Sequence, residues 1–404
     1  MKILLINKFH YVRGGAERAY FDTASTLRQH GHEVAFFSMH HPNNKETQWE
    51  KYFIENIDYH KHYTIQKRFE LVCKMLWNFE AQHRLLSLLK EFRPDIAHLH
   101  NIYHQLSPSI ITTLKKYNIP MVMTLHDYKL LSPNYSLYVR GKIWEGGAFQ
   151  CIVDRCVRDA FVPSVVCSLE HMLHSFLGIY KNVDVFLSPS LFLKELFEKK
   201  GFQGEMKSIS QPLILQPTQQ EENLRGEHLF YAGRLSREKG IDTLLSALVY
   251  LPMCIVRIAG EGPEKNNLYA LAHELGVADR VVFLGHLSSE KLKKELCLAK
   301  AVIIPSVCYE NMPYALLEAL GAGQVVIASK IGGMTEKIIN RENGFLFEAG
   351  NVKDLVSVLS QLDAYDLDGI RKRAKESVTS LTQEQYYRNL FAVYQEVLKK
   401  KNEK

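Results

Sequence analysis

Glu310 and Glu318 stand with seven residues between them, in the run Glu310-Asn311-Met312-Pro313-Tyr314 that leads into Ala315-Leu316-Leu317-Glu318. An earlier run, Gly233-Arg234-Leu235-Ser236-Arg237-Glu238-Lys239-Gly240, sets an arginine and a lysine between glycines. A guanidinium offers phosphate oxygens a planar fork, and an ammonium adds a point charge. Carboxylates accept hydrogen bonds from hydroxyls. The two sets therefore fit a diphosphate and a sugar, the parts of a nucleotide-sugar. If the sugar leaves, negative charge builds on the phosphate, and Arg234 and Lys239 would stabilise it. The plain alternative is a solvated basic turn with Glu238 as its partner. Glu310 reads as a loop carboxylate ahead of a helix that begins at Pro313. Glu318 falls two turns into that otherwise apolar helix, where a carboxylate is costly unless something pairs with it. Ribose hydroxyls would do so, as would an ordinary salt bridge. Asn311, Met312, Pro313 and Tyr314 complete the segment, and the N–H groups of Met312, Tyr314 and Ala315 could face phosphate or sugar.

Other loops carry weaker signals. Gly14-Gly15 opens a helix after the first strand, where N–H groups can approach a phosphate and the helix dipole favours it; a tight turn would look the same. Gly260-Glu261-Gly262-Pro263 ends another strand and starts a helix at a proline suited to a first turn. Gly285-His286 could bring backbone groups to a nucleobase. In the first half, His100-Asn101 and His126-Asp127 end strands and should face a ligand cleft. No Cys-x-x-Cys spacing supports a metal set, and no metal is expected. Cys151, Cys156 and Cys167 are expected to be partly buried, and Cys73, Cys254, Cys297 and Cys308 to be buried thiols.

These residues need a frame to hold them. Buried strand runs at 3–7, 33–38, 95–100, 121–125 and 184–188 alternate with helical periodicity such as 16–30, which stops at Gly31. The second half repeats the grammar, with strands at 229–232, 255–259, 281–284, 301–304 and 325–328. Helices follow at 241–250, 264–275, 288–299 and 313–322. Alternation of this kind implies α/β domains with parallel sheets, whose ligands sit at the carboxyl ends of the strands. A Pro- and Gln-rich seam at 211–220 divides the chain into 1–207 and 208–384, with a last helix at 385–404. Residues 59–90 mix bases and aromatics (His60, Lys61, His62, Lys67, Arg68, Phe69, Trp77, Phe79). They fit a helix covering its own sheet better than one lying on a membrane.

The bulk numbers agree. A chain of 404 residues suits two domains. No apolar run is long enough to span a bilayer, no secretory signal opens the chain, and sparse cysteines suit a reducing cytoplasm. Residues 1–200 hold 25 Lys+Arg against 19 Asp+Glu, a net +6, and the remainder holds 25 against 25. A basic first half suits an anionic partner such as a membrane surface or a lipid diphosphate. No nucleic-acid partner is expected.

Taken in order, Gly14-Gly15 with Glu17, Gly31-His32-Glu33-Val34, His126-Asp127-Tyr128, Ser188-Pro189-Ser190, Gly233-Arg234 to Asp242, Gly260 to Pro263, Glu310 to Glu318, Ile331-Gly332-Gly333 and Asn343-Gly344-Phe345 resemble the family 4 glycosyltransferases over nearly the whole chain. The resemblance implies the GT-B fold: two facing Rossmann-like domains, a deep cleft, and a C-terminal helix returning to the first domain. It implies transfer with retention from a nucleotide-diphosphate sugar, as co-substrate, to a glycan or lipid-linked glycan, without metal or other cofactor. By position, Arg234 and Lys239 would bind the diphosphate with help from Gly15, Glu310 the moving sugar and Glu318 the ribose. His126 would lie beside sugar and acceptor, and His100, Asn101, Asp127 and Tyr128 would complete the acceptor side. Cysteine usage and the basic first half together suit a cytoplasmic protein, with peripheral contact to the inner face of the membrane as a candidate association. Asn311-Met312-Pro313-Tyr314 replaces the glycine-rich loop of many members, and the downstream cysteines are fewer than in some. A nucleotide-sugar epimerase and a silent binding module are the alternatives. A nicotinamide dehydrogenase would need a Gly-x-Gly-x-x-Gly after a strand, which the chain lacks.

Overall fold

The computed structural model describes every residue except His60, His62, residues 214–225 and Lys404. The seam expected at 211–220 falls largely outside the described residues. The chain forms two compact units. One comprises Met1–Ser136, Glu145–Pro212 and Gln383–Lys404; the other comprises Leu137–Trp144 and Leu213–Thr382.

The first unit runs β1 (Lys2–Ile6), α1 (Gly15–Gln29), β2 (Glu33–Phe37), α2 (Ile65–Leu76), α3 (Phe79–Phe92), β3 (Ile96–Leu99), α4 (Ser109–Lys116) and β4 (Met121–Thr124). The hairpin strands β5 (Tyr138–Val139) and β6 (Lys142–Ile143) follow in sequence. The first unit then continues with α5 (Ala148–Asp154), α6 (Phe161–Phe176), β7 (Val185–Ser188), α7 (Leu191–Lys199) and β8 (Met206–Ser208). Its sheet has the order β2-β1-β3-β4-β7-β8, all parallel, with Ile3 beside both Val34 and Ile96. β3, β4 and β7 are buried throughout, which is why they read as unbroken apolar runs rather than alternating ones.

The second unit runs β9 (Leu229–Ala232), α8 (Ile241–Leu248), β10 (Val256–Ala259), α9 (Lys265–Glu274), β11 (Val281–Gly285), α10 (Ser289–Leu298), β12 (Ala301–Ile304), α11 (Tyr314–Gly321), β13 (Val326–Ser329), β14 (Phe345–Phe347), α12 (Val352–Ser360) and α13 (Leu367–Glu376). Its parallel sheet has the order β11-β10-β9-β12-β13-β14. Side chains alternate across it. Leu229, Ile258, Ile303 and Ile327 join one buried layer, and Phe230, Ala259, Ile304 and Ala328 join the other, as the two-residue strand period requires.

The last helix, α14 (Gln383–Asn402), belongs to the first unit. Its Tyr386 hydroxyl meets Thr23 Oγ1 at 2.7 Å, and its Tyr394 hydroxyl meets His98 Nδ1 at 2.6 Å. Tyr386, Leu390, Tyr394 and Val397 are its buried side.

Several expectations need correction. The β5–β6 hairpin groups with the second unit although it lies among first-unit residues in sequence. It turns through Arg140 and Gly141, both at positive φ. Cys73 is exposed and Cys254 only half-buried, while Cys297 and Cys308 are buried. Cys151 and Cys156 are joined as a disulfide and, with Cys167, are fully inside rather than partly so. The disulfide closes a short loop at the C-terminal end of α5, which spacing alone did not reveal. In the 59–90 region α3 covers the sheet with Ala81, Leu85, Leu88, Leu89 and Phe92, but α2 buries only Leu71 and Met75.

Candidate functional site

In the second unit the strand order reverses between β9 and β12, which sit side by side. Crevices at such reversals are where open parallel sheets bind ligands. The loops after these two strands hold Arg234, Lys239 and Glu310.

After β9 the chain makes a single tight turn at Arg237–Lys239 and leaves it at Gly240, whose φ is +64°. A Cβ at Gly240 would lie 2.0 Å from Pro305 O, so only glycine lets the turn rest on the end of β12. Val307 N then donates to Glu238 O at 2.9 Å. That approach brings the Lys239 ammonium to 2.6 Å from Glu310 Oε1, and Ser306 Oγ donates to the same oxygen at 2.6 Å. The Glu310 backbone is held in turn: Gly333 N donates to Glu310 O at 2.8 Å. Gly332, at φ +63°, leaves room that a Cβ would fill at 2.4 Å from that oxygen.

Burial disfavours both charges, but each outweighs that cost for the other. Desolvation pushes the Lys239 ammonium toward deprotonation, yet the Glu310 carboxylate leaves its pKa raised. Desolvation pushes Glu310 up, yet Lys239 and Ser306 bring it below the ordinary carboxylate value. The pair is therefore fully charged at neutral pH. Side chains remain reachable, at 25% exposure for Lys239 and 12% for Glu310. The expected partner of Lys239, Glu238, instead accepts from Ser236.

Arg234 is exposed beside Gly233, its carbonyl accepting from the Tyr231 hydroxyl at 3.0 Å. Arg237 points elsewhere, to Glu264 at 3.2 Å. Gly233, Gly260 and Gly262 lie on strand-end loops laced by backbone bonds: Gly233 N to Ala259 O, Gly260 N to Gly285 O and Leu235 N to Glu261 O. His286 follows Gly285 and is exposed. Pro313 sits just before α11 rather than inside it, in extended conformation. Asn311 and Tyr314 are half-buried, and the Met312 side chain belongs to the core, which leaves only its backbone to a ligand. Glu318 is 6% exposed on α11 among Leu316, Leu317, Ala319 and Leu320. Sequence reasoning missed Ser306 and the part played by Gly332-Gly333. Their signals were a hydroxyl two residues past a strand end and a glycine pair one strand further on.

In the first unit, strand order reverses between β1 and β3. Here Asn7 Oδ1 accepts from Asn101 N at 3.1 Å and Lys8 N donates to Asn101 O at 2.8 Å. A column of histidines rises from the sheet. His98 Nε2 meets Thr124 Oγ1 at 2.7 Å, His98 stacks on His100, and His100 Nδ1 meets His126 Nε2 at 2.9 Å. Burial lowers all three; His126 falls to about 4, and His100 is pushed down further by its two neighbours. Neutral imidazoles can share one proton across the 2.9 Å contact, one ring donating and the other accepting.

His126 and Asp127 stay half-buried, while the His100, Asn101 and Tyr128 side chains are buried. His100 thus orients His126 rather than lining an open surface. Asp127 accepts from the Tyr103 hydroxyl and from Lys129 N. Burial raises its pKa, with Tyr103, the Lys129 backbone and Lys8 pulling the other way. Gly14 is extended and exposed before α1, where a Cβ would meet nothing nearer than Glu17 Oε2 at 3.7 Å; Gly15 is likewise exposed. Local packing does not require glycine at position 14.

His104, Cys167 and Glu170 bring ligand-type atoms within 4.8 Å of one another. The Glu170 carboxylate already carries an ion pair with Lys129 at 2.6 Å and a bond to His104 at 3.2 Å. Burial would raise its pKa, but His104 and Lys129 hold it well below the ordinary value. This is a charged buried network beneath α6. A cavity of about 400 Å³ in the second unit, lined by Lys330, Arg341, Glu348 and Tyr365 among others, contains none of the expected groups.

Comparison with known proteins completes the picture. The model of "Glycosyltransferase Family 4" matches residues 13–157, and that of "Glycosyl transferases group 1" matches residues 215–376. A 42.6 kDa protein of the cps region of Klebsiella pneumoniae is 27% identical over 376 residues, covering 89% of this chain and 92% of its own. Sucrose-phosphate synthase from Thermosynechococcus elongatus superposes with a TM-score of 0.74 at 19% identity, covering 98% of each chain. Anabaena HepE in complex with UDP and glucose gives 0.65 at 17% identity, covering 97% of this chain and 99% of that one. The chain belongs to the family 4 glycosyltransferases and has the GT-B fold.

Proposed function

We propose that the protein transfers a hexosyl group, with retention of anomeric configuration, from a nucleotide-diphosphate sugar to a glycan or lipid-linked glycan. The observation that carries this reading is the charged Lys239–Glu310 pair at 2.6 Å, fixed beside the reversal in strand order. A buried cation and carboxylate that remain reachable suit a ligand offering both phosphate oxygens and hydroxyls. The UDP and glucose held by HepE are a ligand of that class.

In this mechanism the bond between the anomeric carbon and the β-phosphate oxygen breaks. The acceptor hydroxyl oxygen bonds to that carbon on the same face, and its proton passes to the departing phosphate. Lys239 and Arg234 stabilise the charge that grows on the phosphate, the step at which fixed cations accelerate a reaction most. Glu310 accepts hydrogen bonds from the moving sugar and Glu318 from the ribose. Gly233, Gly260, Gly262, His286 and the Asn311–Tyr314 backbone line the donor. His126, neutral at working pH, hydrogen-bonds sugar or acceptor, with Asp127 beside it. No step calls for a metal. Extension of a surface polysaccharide or glycolipid on the cytoplasmic side is the setting this chemistry fits.

The test has two stages. A thermal-shift screen of nucleoside diphosphates and their sugars identifies the donor, since a ligand bound to the native state raises the melting temperature by mass action. Proton NMR then follows the donor with and without acceptor. Transfer with an α-linked product from an α-linked donor is expected. Rapid conversion of the donor to its epimer without acceptor, or binding with no turnover on any acceptor, would overturn the reading.

A further inference from the structure

Helix α6 is built inside out. The residues it buries are Ser164, Cys167, Ser168, Glu170 and His174. Three of them are occupied within the unit: Ser164 Oγ donates to Ala160 O at 2.8 Å, Glu170 pairs with Lys129, and His174 Nε2 meets Leu76 O at 2.8 Å, while Ser168 Oγ is buried without a hydrogen-bond partner among the described residues. The opposite side is apolar. Phe161, Val162, Leu169, Met172 and Phe176 are all exposed, Phe176 at 88%. With the half-buried Val165 they fall within about 100° of arc at 3.6 residues per turn. Glu170, turned inward, is the only Asp, Glu, Lys or Arg in the helix. An ordinary surface helix shows the reverse arrangement, so water is the wrong solvent for this face.

Its neighbours continue the pattern. α5 and α2 both pack against α6. α5 exposes Phe149 and Val153 and α2 exposes Ile65 and Phe69, in each case four residues apart on one side of the helix. Basic residues flank them. The stretch 61–74 carries Lys61, Lys67, Arg68 and Lys74 against Glu70 alone, and Arg155 and Arg158 are exposed in the turn between α5 and α6 beside Asp159, with Asp154 at the end of α5, so the flanks hold six cations against three carboxylates.

We propose that this face of the first unit docks on an anionic lipid bilayer, with α6 lying in the interface. A helix with a broad apolar stripe and basic flanks is the form that inserts its apolar side among acyl chains while cations meet lipid headgroups. No helix among the described residues is long and apolar enough to cross a membrane, so attachment by this face is peripheral. Charge argues against a second copy as the occupant. A two-fold contact of the face with itself would bring the same net-positive patch of both copies together. The inference does not depend on which sugar moves or whether any does.

The test is co-sedimentation of the full chain with phosphatidylcholine vesicles containing roughly one third phosphatidylglycerol, and with phosphatidylcholine alone. Light scattering without lipid runs in parallel. Binding to the anionic vesicles at least about tenfold tighter than to the neutral ones, weakened by salt, is expected. The double substitution Val162→Ser, Phe176→Ser should weaken it about tenfold, as should Arg68→Glu with Arg155→Glu, while melting temperature and nucleotide thermal shift stay unchanged. Wild-type protein left in the supernatant would overturn the proposal, as would binding indifferent to both variants. A dimer in solution that the serine variant dissolves would assign the face to a second copy instead.

Discussion

Replacing Lys239 by alanine perturbs two things that can be separated. The first is stability. The ammonium lies 2.6 Å from Glu310 Oε1, and its loss leaves that carboxylate with Ser306 as its hydrogen-bonding side chain. Removing one partner of a fully buried pair costs about 3–5 kcal/mol. Lys239 keeps 25% exposure and Glu310 12%, so water recovers part of this, and about 2 kcal/mol is the expected loss. For a unit of this size that lowers the melting temperature by roughly 4–8 °C. The second is catalysis. A cation lost from the departing phosphate costs about 10²–10³ in kcat, the size seen when a transition-state donor is removed. The double variant Lys239→Ala, Glu310→Gln separates the two: with no orphaned carboxylate its melting temperature should return most of the way. Its transfer rate should remain at or below that of the single variant. Differential scanning calorimetry and initial-rate kinetics with saturating donor supply the readings. A double variant that regains transfer along with stability would refute the argument, because Lys239 would then act only as a partner for Glu310.

Other predictions follow from the same geometry. Glu318→Ala should weaken nucleotide binding tenfold or more in calorimetric titration while changing kcat less, since ribose contacts are shared by ground and transition states; unchanged affinity removes the assignment. Gly332→Ala forces a Cβ to 2.4 Å from Glu310 O at a φ of +63°. It should cost about 1–3 kcal/mol by urea unfolding and reduce transfer with it, and a variant as stable and active as wild type would show that the loop adjusts freely. Stability should also fall as pH drops from 7 to 5. Burial, reinforced by Lys45 and Arg28, lowers His10 to about 4, and burial with His126 lowers His98 to about 3. Folded values below the unfolded 6.5 mean that the unfolded chain takes up protons first, so their contribution is whole above 6.5 and is lost as pH falls toward the folded values. About 2 kcal/mol for each such histidine is at stake by pH 5. His30, raised by the Thr26 carbonyl and Glu384, acts weakly in the opposite sense. A urea midpoint that is flat or rises on acidification would contradict this.

Much of the frame was legible because its strands are short, apolar and set off by glycine or proline. Residues 229–232 and 301–304 were read at their observed bounds. β8 and β14 escaped because they are three-residue edge strands, and β8 contains Lys207 and Ser208. The residue types at the site were legible too, since Arg234, Lys239 and Glu310 follow strand ends. Their pairing was not. Lys239 and Glu310 are 71 positions apart, and what joins them is the close approach at Gly240, a tertiary fact. The histidines show the same limit. His100 and His126 were both expected at an open surface, yet the register of β3 and β4 stacks them so that one supports the other. α6 escaped notice because its pattern is a regular amphipathic helix, and periodicity does not say which side faces inward. That choice is made by Lys129 and His104, which draw Glu170 into the unit.

The central claim is that a donor diphosphate is gripped where Lys239 meets Glu310. A crystal structure of the protein with a bound nucleoside diphosphate tests it most directly. The account predicts β-phosphate oxygens about 3 Å from Lys239 Nζ and the Arg234 guanidinium, with the ribose hydroxyls on Glu318. Nucleotide bound elsewhere, with Lys239 still bonded only to Glu310 and Arg234 turned into solvent, would contradict it.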